Sequence, residues 1–243
     1  MKNINKDDDS MLFWYPKIKY LDIPQPKTEF ILLSTAEYYA TMDGMPHSIT
    51  NRVSNIIESK FRLPVFIRTD FASAKHQWKE SCYYDGSGKL WRHLLNICEF
   101  NHCVDGIMGL PFSAIVIREF IEMDSKYKAF KDMPVNPERR YFIKDGKVIC
   151  HHSYWIKEAI LNPSVANWEK LSDEMNIETP EEIKLLTKYS EMVAHIMKGF
   201  WSIDFCKSKR FTVYDARWIL IDMATGKRSW HPEICKNYYL KNE

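Results

Sequence analysis

Arg68 and Lys75 stand seven residues apart in FIRTDFASAKHQWK (residues 66–79), on either side of a small-residue turn, Ala72-Ser73-Ala74. Arginine grips phosphate with a planar fork, lysine adds a mobile point charge, and the turn lends backbone N–H groups. These are the components of a polyphosphate clamp. The plainer alternative is a strand end carrying two solvated charges. The loop has no Gly-x-x-x-x-Gly-Lys pattern, so it is not a P-loop. A second set lies near the C-terminus, where Asp204 and Asp222 each interrupt an otherwise apolar run. A carboxylate buried without a partner is strongly unfavourable, so each needs a cation or a metal. Two carboxylates on neighbouring antiparallel strands suit Mg²⁺, which fills its other positions with water and phosphate. Two separate salt bridges to Arg or Lys would satisfy them equally well.

Between these sets, Ala114 to Asp124 (AIVIREFIEMD) passes from a β-branched run into charge. Such a strand, leaving the sheet at an exposed edge, could offer backbone donors and acceptors to a purine, with Glu122 or Asp124 on a ribose hydroxyl. A core strand ending at the surface is the simpler alternative. His151 and His152 are adjacent on a strand and point to opposite faces, so they do not readily share a metal. No Cys/His spacing meets a zinc pattern. His152, Tyr154, Trp155 and Trp230 are candidates to line a substrate pocket, or to pack in the core.

The elements that would position these groups are legible in outline. Leu63 to Ile67 reads as a buried strand, and Glu29 to Ser34 as another. Thr35 to Tyr39 opens a short helix, and Ser48 caps a helix reaching Lys60. Cys82 to Tyr84 is a possible strand, turned by Asp85-Gly-Ser-Gly, and Leu90 to Phe100 has helical periodicity. After a loop from Tyr127 to Pro137, Glu138 to Cys150 is a β-hairpin turned by Asp145-Gly146. Alternation puts Arg140 and Phe142 on one face and Arg139, Tyr141 and Ile143 on the other. Residues 155–178 read as mixed helix and loop. Pro180 to Lys198 is the clearest helix, with Thr179 as cap and Glu181 and Glu182 in its first turn. Two strands close the chain, Phe200 to Phe205 and a segment from Phe211 through Asp222.

The 243 residues suffice for one large domain or two lobes. A formal charge of +2 makes no electrostatic case for nucleic acid or an anionic membrane. No apolar run approaches the roughly 20 residues of a membrane span. Six cysteines without a CxxC pair, behind a polar start with no signal-peptide core, point to reduced thiols in the cytoplasm.

Taken in order, FIRTDFASAKHQWK, IREFI, Glu138-x-Arg140, Asp145-Gly-Lys, His151-His-Ser-Tyr-Trp and Ile221-Asp-Met-Ala-Thr-Gly-Lys resemble the ATP-grasp superfamily. The nearest pattern is that of the phage and bacterial ATP-grasp domains named for one arginine and two lysines, over residues 24–235. A more distant similarity is to the eukaryotic cell-division-cycle ATP-grasp proteins, which assist translation-factor assembly. The resemblance implies an α+β fold with a nucleotide held between two α+β lobes. The divisions expected are a disordered tail (1–10), an N-terminal α/β segment (11–60), a small lobe (61–125) and a large, metal-binding lobe (126–243).

It implies further that Arg68 and Lys75 contact phosphates, that Arg118, the backbone of Glu119, Phe120 and Ile121, and Asp124 serve the nucleoside, and that Arg140 faces the γ-phosphate. Lys75 and Arg140 would be the catalytic pair, and Asp204 and Asp222 would hold Mg²⁺. The activity implied is ATP- and Mg²⁺-dependent ligation of a carboxylate to an amine through an acyl-phosphate, on an acceptor such as a peptide or protein end, in the cytoplasm (the host's, if phage-encoded). The alternative is an ATP-binding assembly factor without small-molecule turnover. Many ATP-grasp enzymes carry Glu-x-Asn on the last metal strand, whereas here Ala224 follows Asp222 by two positions. A glycine-rich lid is also missing, unless Asp85-Gly-Ser-Gly serves.

Overall fold

The computed structural model describes residues 8–45, 47–108, 112–210 and 217–229. Two four-stranded antiparallel sheets face each other, each with helices on its outer side. The first has the order β1-β4-β2-β3, from β1 (Thr28–Leu32), β2 (Val65–Thr69), β3 (Tyr83–Tyr84) and β4 (Ala114–Glu119). Register pairs Phe66 with Arg118 and Arg68 with Val116, so these four side chains share the inner face. Ile67, Ile115 and Ile117 point the other way, onto helices α3 (His47–Lys60) and α4 (Leu90–Met108), through Ile49, Val53, Leu94 and Ile97. Burial on both faces explains why β4 reads as an unbroken β-branched run rather than an alternating one. Helix α2 (Thr35–Met42) begins with a capping box between Ser34 and Glu37.

The second sheet has the order β10-β9-β7-β8, from β7 (Glu138–Lys144), β8 (Lys147–Ser153), β9 (Phe200–Lys207) and β10 (Trp218–Thr225). The β7–β8 turn is Asp145-Gly146 as expected, with φ of 50° and 88°, the positive pair that a two-residue hairpin requires. Helix α6 (Pro180–Ile196) is capped by the Thr179 side chain, which accepts from Glu182 N, and its Leu186 and Val193 pack beneath the sheet with Tyr141, Ile203 and Phe205. Arg139 and Arg140 part company as alternation requires. Arg139 is 1% exposed on the helix side, where Nε meets Glu182 at 2.7 Å and Nη2 donates to the carbonyls of Met175 and Ile177.

Two features depart from the sequence reading. Met11–Ile18 is a helix, α1, buried through Met11, Trp14 and Ile18 in the core of the second sheet. The expected tail therefore ends inside the fold. Ser10 caps α1 and donates to Asp70 at 2.6 Å, while Asp9 accepts from Thr225 N. Within residues 11–60, β1 pairs with β4 and α1 packs under the second sheet. The loop from Tyr127 to Pro137 contains a two-stranded ribbon, β5 (Tyr127–Ala129) and β6 (Met133–Val135), packed on Trp155, Ile160 and Met175; this last comes from α5 (Trp168–Asn176). Residues 211–216 of the last expected strand, and Trp230, lie outside the described residues.

Among the described residues no helix is long and apolar enough to cross a membrane.

Candidate active site

The inner faces of the two sheets enclose a cavity of about 310 Å³. Simple alternation on β10 would put Asp222 on the same side as Leu220, in the core. A β-bulge between them prevents this: Leu220 pairs with Phe205, and the next pair is Asp222 with Asp204. The extra residue turns Asp222 to the cavity while Leu220 stays buried. The bulged residue, Ile221, turns its carbonyl to accept from Arg118 Nη1. Arg140 also stands opposite Asp204, and Glu138 opposite Cys206, so β7, β9 and β10 deliver Glu138, Arg140, Asp204 and Asp222 to one patch.

The charges in this patch are interlocked. Arg140 grips Asp204 with two parallel bonds of 2.7 and 2.8 Å and lies over the Tyr154 ring. Arg68 reaches across from the first sheet to Asp222 at 2.8 Å. Each aspartate thus holds an arginine, the salt-bridge arrangement that the sequence left open beside a metal site. Lys75 enters from a 3-10 turn (Lys75–Glu80), 3.2 Å from the Tyr154 hydroxyl, 3.9 Å from Glu138 and above the rings of Tyr154 and Trp155. Burial opposes its charge, but Glu138 and Tyr154 prevail and its pKa is raised. Burial pushes the Glu138 carboxyl up to about 7, against the pull of Lys75 and with the repulsion of Asp204. Glu138 Oε1 is buried without a hydrogen bond. Burial, and then the neighbouring Arg68, bring Arg118 down to about 10. Over the whole lining five cations balance five carboxylates, but Arg68, Lys75, Arg118 and Arg140 cluster around Glu138, Asp204 and Asp222, a local gathering of positive charge that suits an anion.

The other end is apolar. Phe66, Trp78, Phe120, Ile121, Met133 and Pro134 line it, and Glu119 opposes Val65, so residues 120–121 extend beyond the Val65 end of β2.

Of the residues singled out in the sequence, Arg68, Lys75, Arg118, Arg140, Asp204 and Asp222 line this one cavity. So do Glu119, Phe120, Ile121, Tyr154 and Trp155. Asp124 and His152 are not brought there. Asp124 is held by Arg217 and Lys126, both at 3.2 Å, and His152 stacks on Phe142 with Nδ1 2.7 Å from the Ser153 carbonyl. Glu122 pairs with Lys209 at 2.7 Å. Three charged lining groups went without a role in the sequence reading. Glu138 was detectable, two residues from Arg140 on a predicted strand and hence on its face. Asp9 and Arg228 had no local signal, because only the tertiary fold brings them together.

The residues fit a magnesium ion bound together with phosphate. Asp204 and Asp222 are register partners, and Glu138, whose Oε1 makes no hydrogen bond and lies 3.9 Å from Lys75 Nζ, adds a third carboxylate to the same patch. Among the described residues, no three His, Cys, Asp or Glu side chains form a metal cage by themselves. Mg²⁺ does not need one, since it takes one or two carboxylates and completes its shell with phosphate and water.

Comparison of the sequence with curated proteins gives no match. Among solved structures, the chain is similar to C-terminally truncated Cdc123 from Schizosaccharomyces pombe. That match has 15% identity, 90% of this chain and 83% of that one covered, and a TM-score of 0.51. Cdc123 from the same organism matches at 14% identity, with 89% and 82% covered and a TM-score of 0.50. A RimK domain protein ATP-grasp from Sphaerobacter thermophilus gives 10% identity, 89% and 58% covered, and a TM-score of 0.43. Residues 56–239 match the family model described as ATP-grasp domain, R2K clade family 3. The fold is thus the α+β ATP-grasp fold expected from the motif order, and the chain belongs to the R2K clade of ATP-grasp domains, family 3.

Proposed function

We propose that the cavity binds ATP with Mg²⁺ and that the protein is an ATP-dependent carboxylate–amine ligase. The observation that carries this is the polarity of the cavity, apolar at the 120–121 end and crowded with Arg68, Lys75, Arg118 and Arg140 beyond it. In this reading the purine lies among Phe66, Trp78 and Phe120, against the backbone of Glu119 to Ile121. Arg68 and Lys75 take the phosphates and Arg140 the terminal one. Asp204 and Asp222 would hold Mg²⁺, which supplies charge neutralisation along the phosphates.

The reaction needs no protein nucleophile. A substrate carboxylate oxygen attacks the γ-phosphorus and ADP leaves. An amine then attacks the acyl carbon, expels inorganic phosphate and gives up a proton. Lys75 and Arg140 lower the barrier by facing the transferring group with fixed charge. Bound phosphate would compete for Arg68 and Arg140, and the oxygens of Asp222 and Asp204 that they now hold would then be available to Mg²⁺. Glu138, facing Lys75, keeps that lysine charged and localised.

A second reading, an ATP-binding assembly factor without small-molecule turnover, draws on Ala224, which removes an amide ligand from the last metal strand. Titration of ATP with Mg²⁺ by calorimetry, on the wild type and on Lys75→Met, tests the site. Binding weakened about tenfold or more by the substitution is expected, since a charge-assisted contact is lost. Equal affinity would remove Lys75 from the site. Tight ATP binding with phosphate release unmoved by a pool of free amino acids would favour the second reading.

A further inference from the structure

The far end of the cavity carries a charge pair outside the groups assigned above to the nucleotide. Residues 9–11 bridge the two sheets there. Met11 N donates to the Asp70 carbonyl just past β2, Ser10 Oγ donates to the Asp70 carboxylate, and Asp9 accepts from Thr225 N at 2.6 Å and Thr225 Oγ1 at 3.1 Å, at the end of β10. The same Asp9 carboxylate holds Arg228 Nε at 3.0 Å. Asp9 and Arg228 both line the cavity. The register fixes which end this is. Glu119 lies opposite Val65, at the start of β2, whereas Asp70 follows its last residue and accepts from Ala114 N, at the start of β4. Phe120 and Ile121, Arg68, and then Arg228 therefore succeed one another along the cleft.

We infer that Arg228, held by Asp9, is the anchor for a substrate carboxylate at the end of the cavity opposite the base. Asp9 engages the guanidinium through Nε. That leaves the two terminal nitrogens to grip a carboxylate as a fork, which a lysine at this place would not do. The phosphate cations lie on the inner faces of β2, β4 and β7 and on the Lys75 turn. Arg228 instead follows β10 in a 3-10 turn (Gly226–Arg228), beyond Asp222, at the end of the cleft away from Phe120 and Ile121. Arg228 is about one-third exposed, and Phe71 and Ser73 line the same end.

This inference rests on the ligase reading above, and its test separates the two. The full chain is given ATP, Mg²⁺, hydroxylamine and an equimolar pool of N-acetyl amino acids. Any carboxylate activated by γ-phosphoryl transfer is then captured as a hydroxamate, with ADP and inorganic phosphate as the other products. Wild type should form hydroxamate with saturation in the pool. Arg228→Gln should raise the half-saturating concentration about tenfold or more, and Arg228→Lys should recover part of that loss. The ATP-dependent rise in melting temperature, measured alongside, should persist in both variants. Unchanged half-saturation in Arg228→Gln with a lowered melting temperature would make the Asp9–Arg228 pair a structural tie and overturn the inference. Nucleotide binding without hydroxamate in wild type would overturn it too. No nucleotide binding in wild type would sink the ligase reading, and the inference with it.

Discussion

Replacing Arg139 with leucine should unfold the protein at a much lower temperature without touching the cavity. The guanidinium is 1% exposed and satisfies Glu182 at 2.7 Å, Glu178 at 3.3 Å and the carbonyls of Met175 and Ile177, with the Trp218 ring 5.3 Å away. Leucine fills part of the volume but leaves Glu182, itself 7% exposed, as a buried charge without its cation. Breaking one side of such a pair costs about 3–5 kcal/mol. For a chain of this size each kcal/mol moves the melting temperature by about 2–4 °C, so the expected drop is about 6–20 °C. The double variant Arg139→Leu/Glu182→Leu removes both charges and should recover at least about 2 kcal/mol of the loss. Circular dichroism melts of the wild type, both of these variants and Glu182→Leu supply the cycle. A single variant within about 1 kcal/mol of wild type, or a double variant no better than the single, would refute the assignment of Arg139 to the helix side of β7.

Two further perturbations report on how the frame is held. Burial raises the Glu37 pKa, but bonds from Arg52 and Ser34 outweigh it and hold the carboxyl at about 2, below its ordinary 4.5. A depressed folded-state value stabilises above the unfolded pKa, and that contribution disappears as pH falls from about 4.5 toward 2. Glu37→Gln should therefore cost about 1–2 kcal/mol at pH 7, after allowance for solvent screening, and nothing at the acid end of a pH series of urea titrations. At Gly226 an added Cβ would fall 2.5 Å from Phe200 Cδ1, inside the ring's contact distance. Gly226→Ala should cost about 1–3 kcal/mol in thermal melts and, by displacing the turn that carries Arg228, disturb the far end of the cavity.

How much of this could be read in the residues depends on the range of the forces involved. The Asp145-Gly146 hairpin and helix α6 are set by local chemistry, a positive-φ turn and a capped amphipathic stripe, and both appear where expected. The opposite fates of Arg139 and Arg140 follow from the pleat alone. Helix α1 was not legible. It is eight residues long, contains Pro16, and takes its stability from burial under the second sheet, so its own sequence shows aromatics without a period. Strands β5 and β6 have three residues each, too few to show alternation.

The site was legible as a list of residue types in order, and the fold supplied their convergence. Asp222 was identified, but the bulge that aims it at the cavity has no mark in the sequence. Asp124 was offered, as an alternative to Glu122, for a ribose hydroxyl; its ion pairs with Arg217 and Lys126 come from the tertiary fold and have no mark in the strand that precedes it. The tie from Asp9 to Thr225 spans most of the chain, and no local pattern could announce it.

The central claim is that the cleft between the sheets is an ATP·Mg²⁺ site organised by Asp204 and Asp222. It is tested most directly by thermal unfolding of the wild type and of Asp204→Asn/Asp222→Asn, each with and without ATP and Mg²⁺. At a ligand concentration 100 times the dissociation constant, binding adds about 2.7 kcal/mol, an upward shift of about 5–11 °C. The account predicts that shift in the wild type, its dependence on Mg²⁺, and its loss in the double variant whatever the variant's own melting temperature. A wild type whose unfolding is indifferent to every purine nucleotide, or a double variant that shifts as the wild type does, would contradict it.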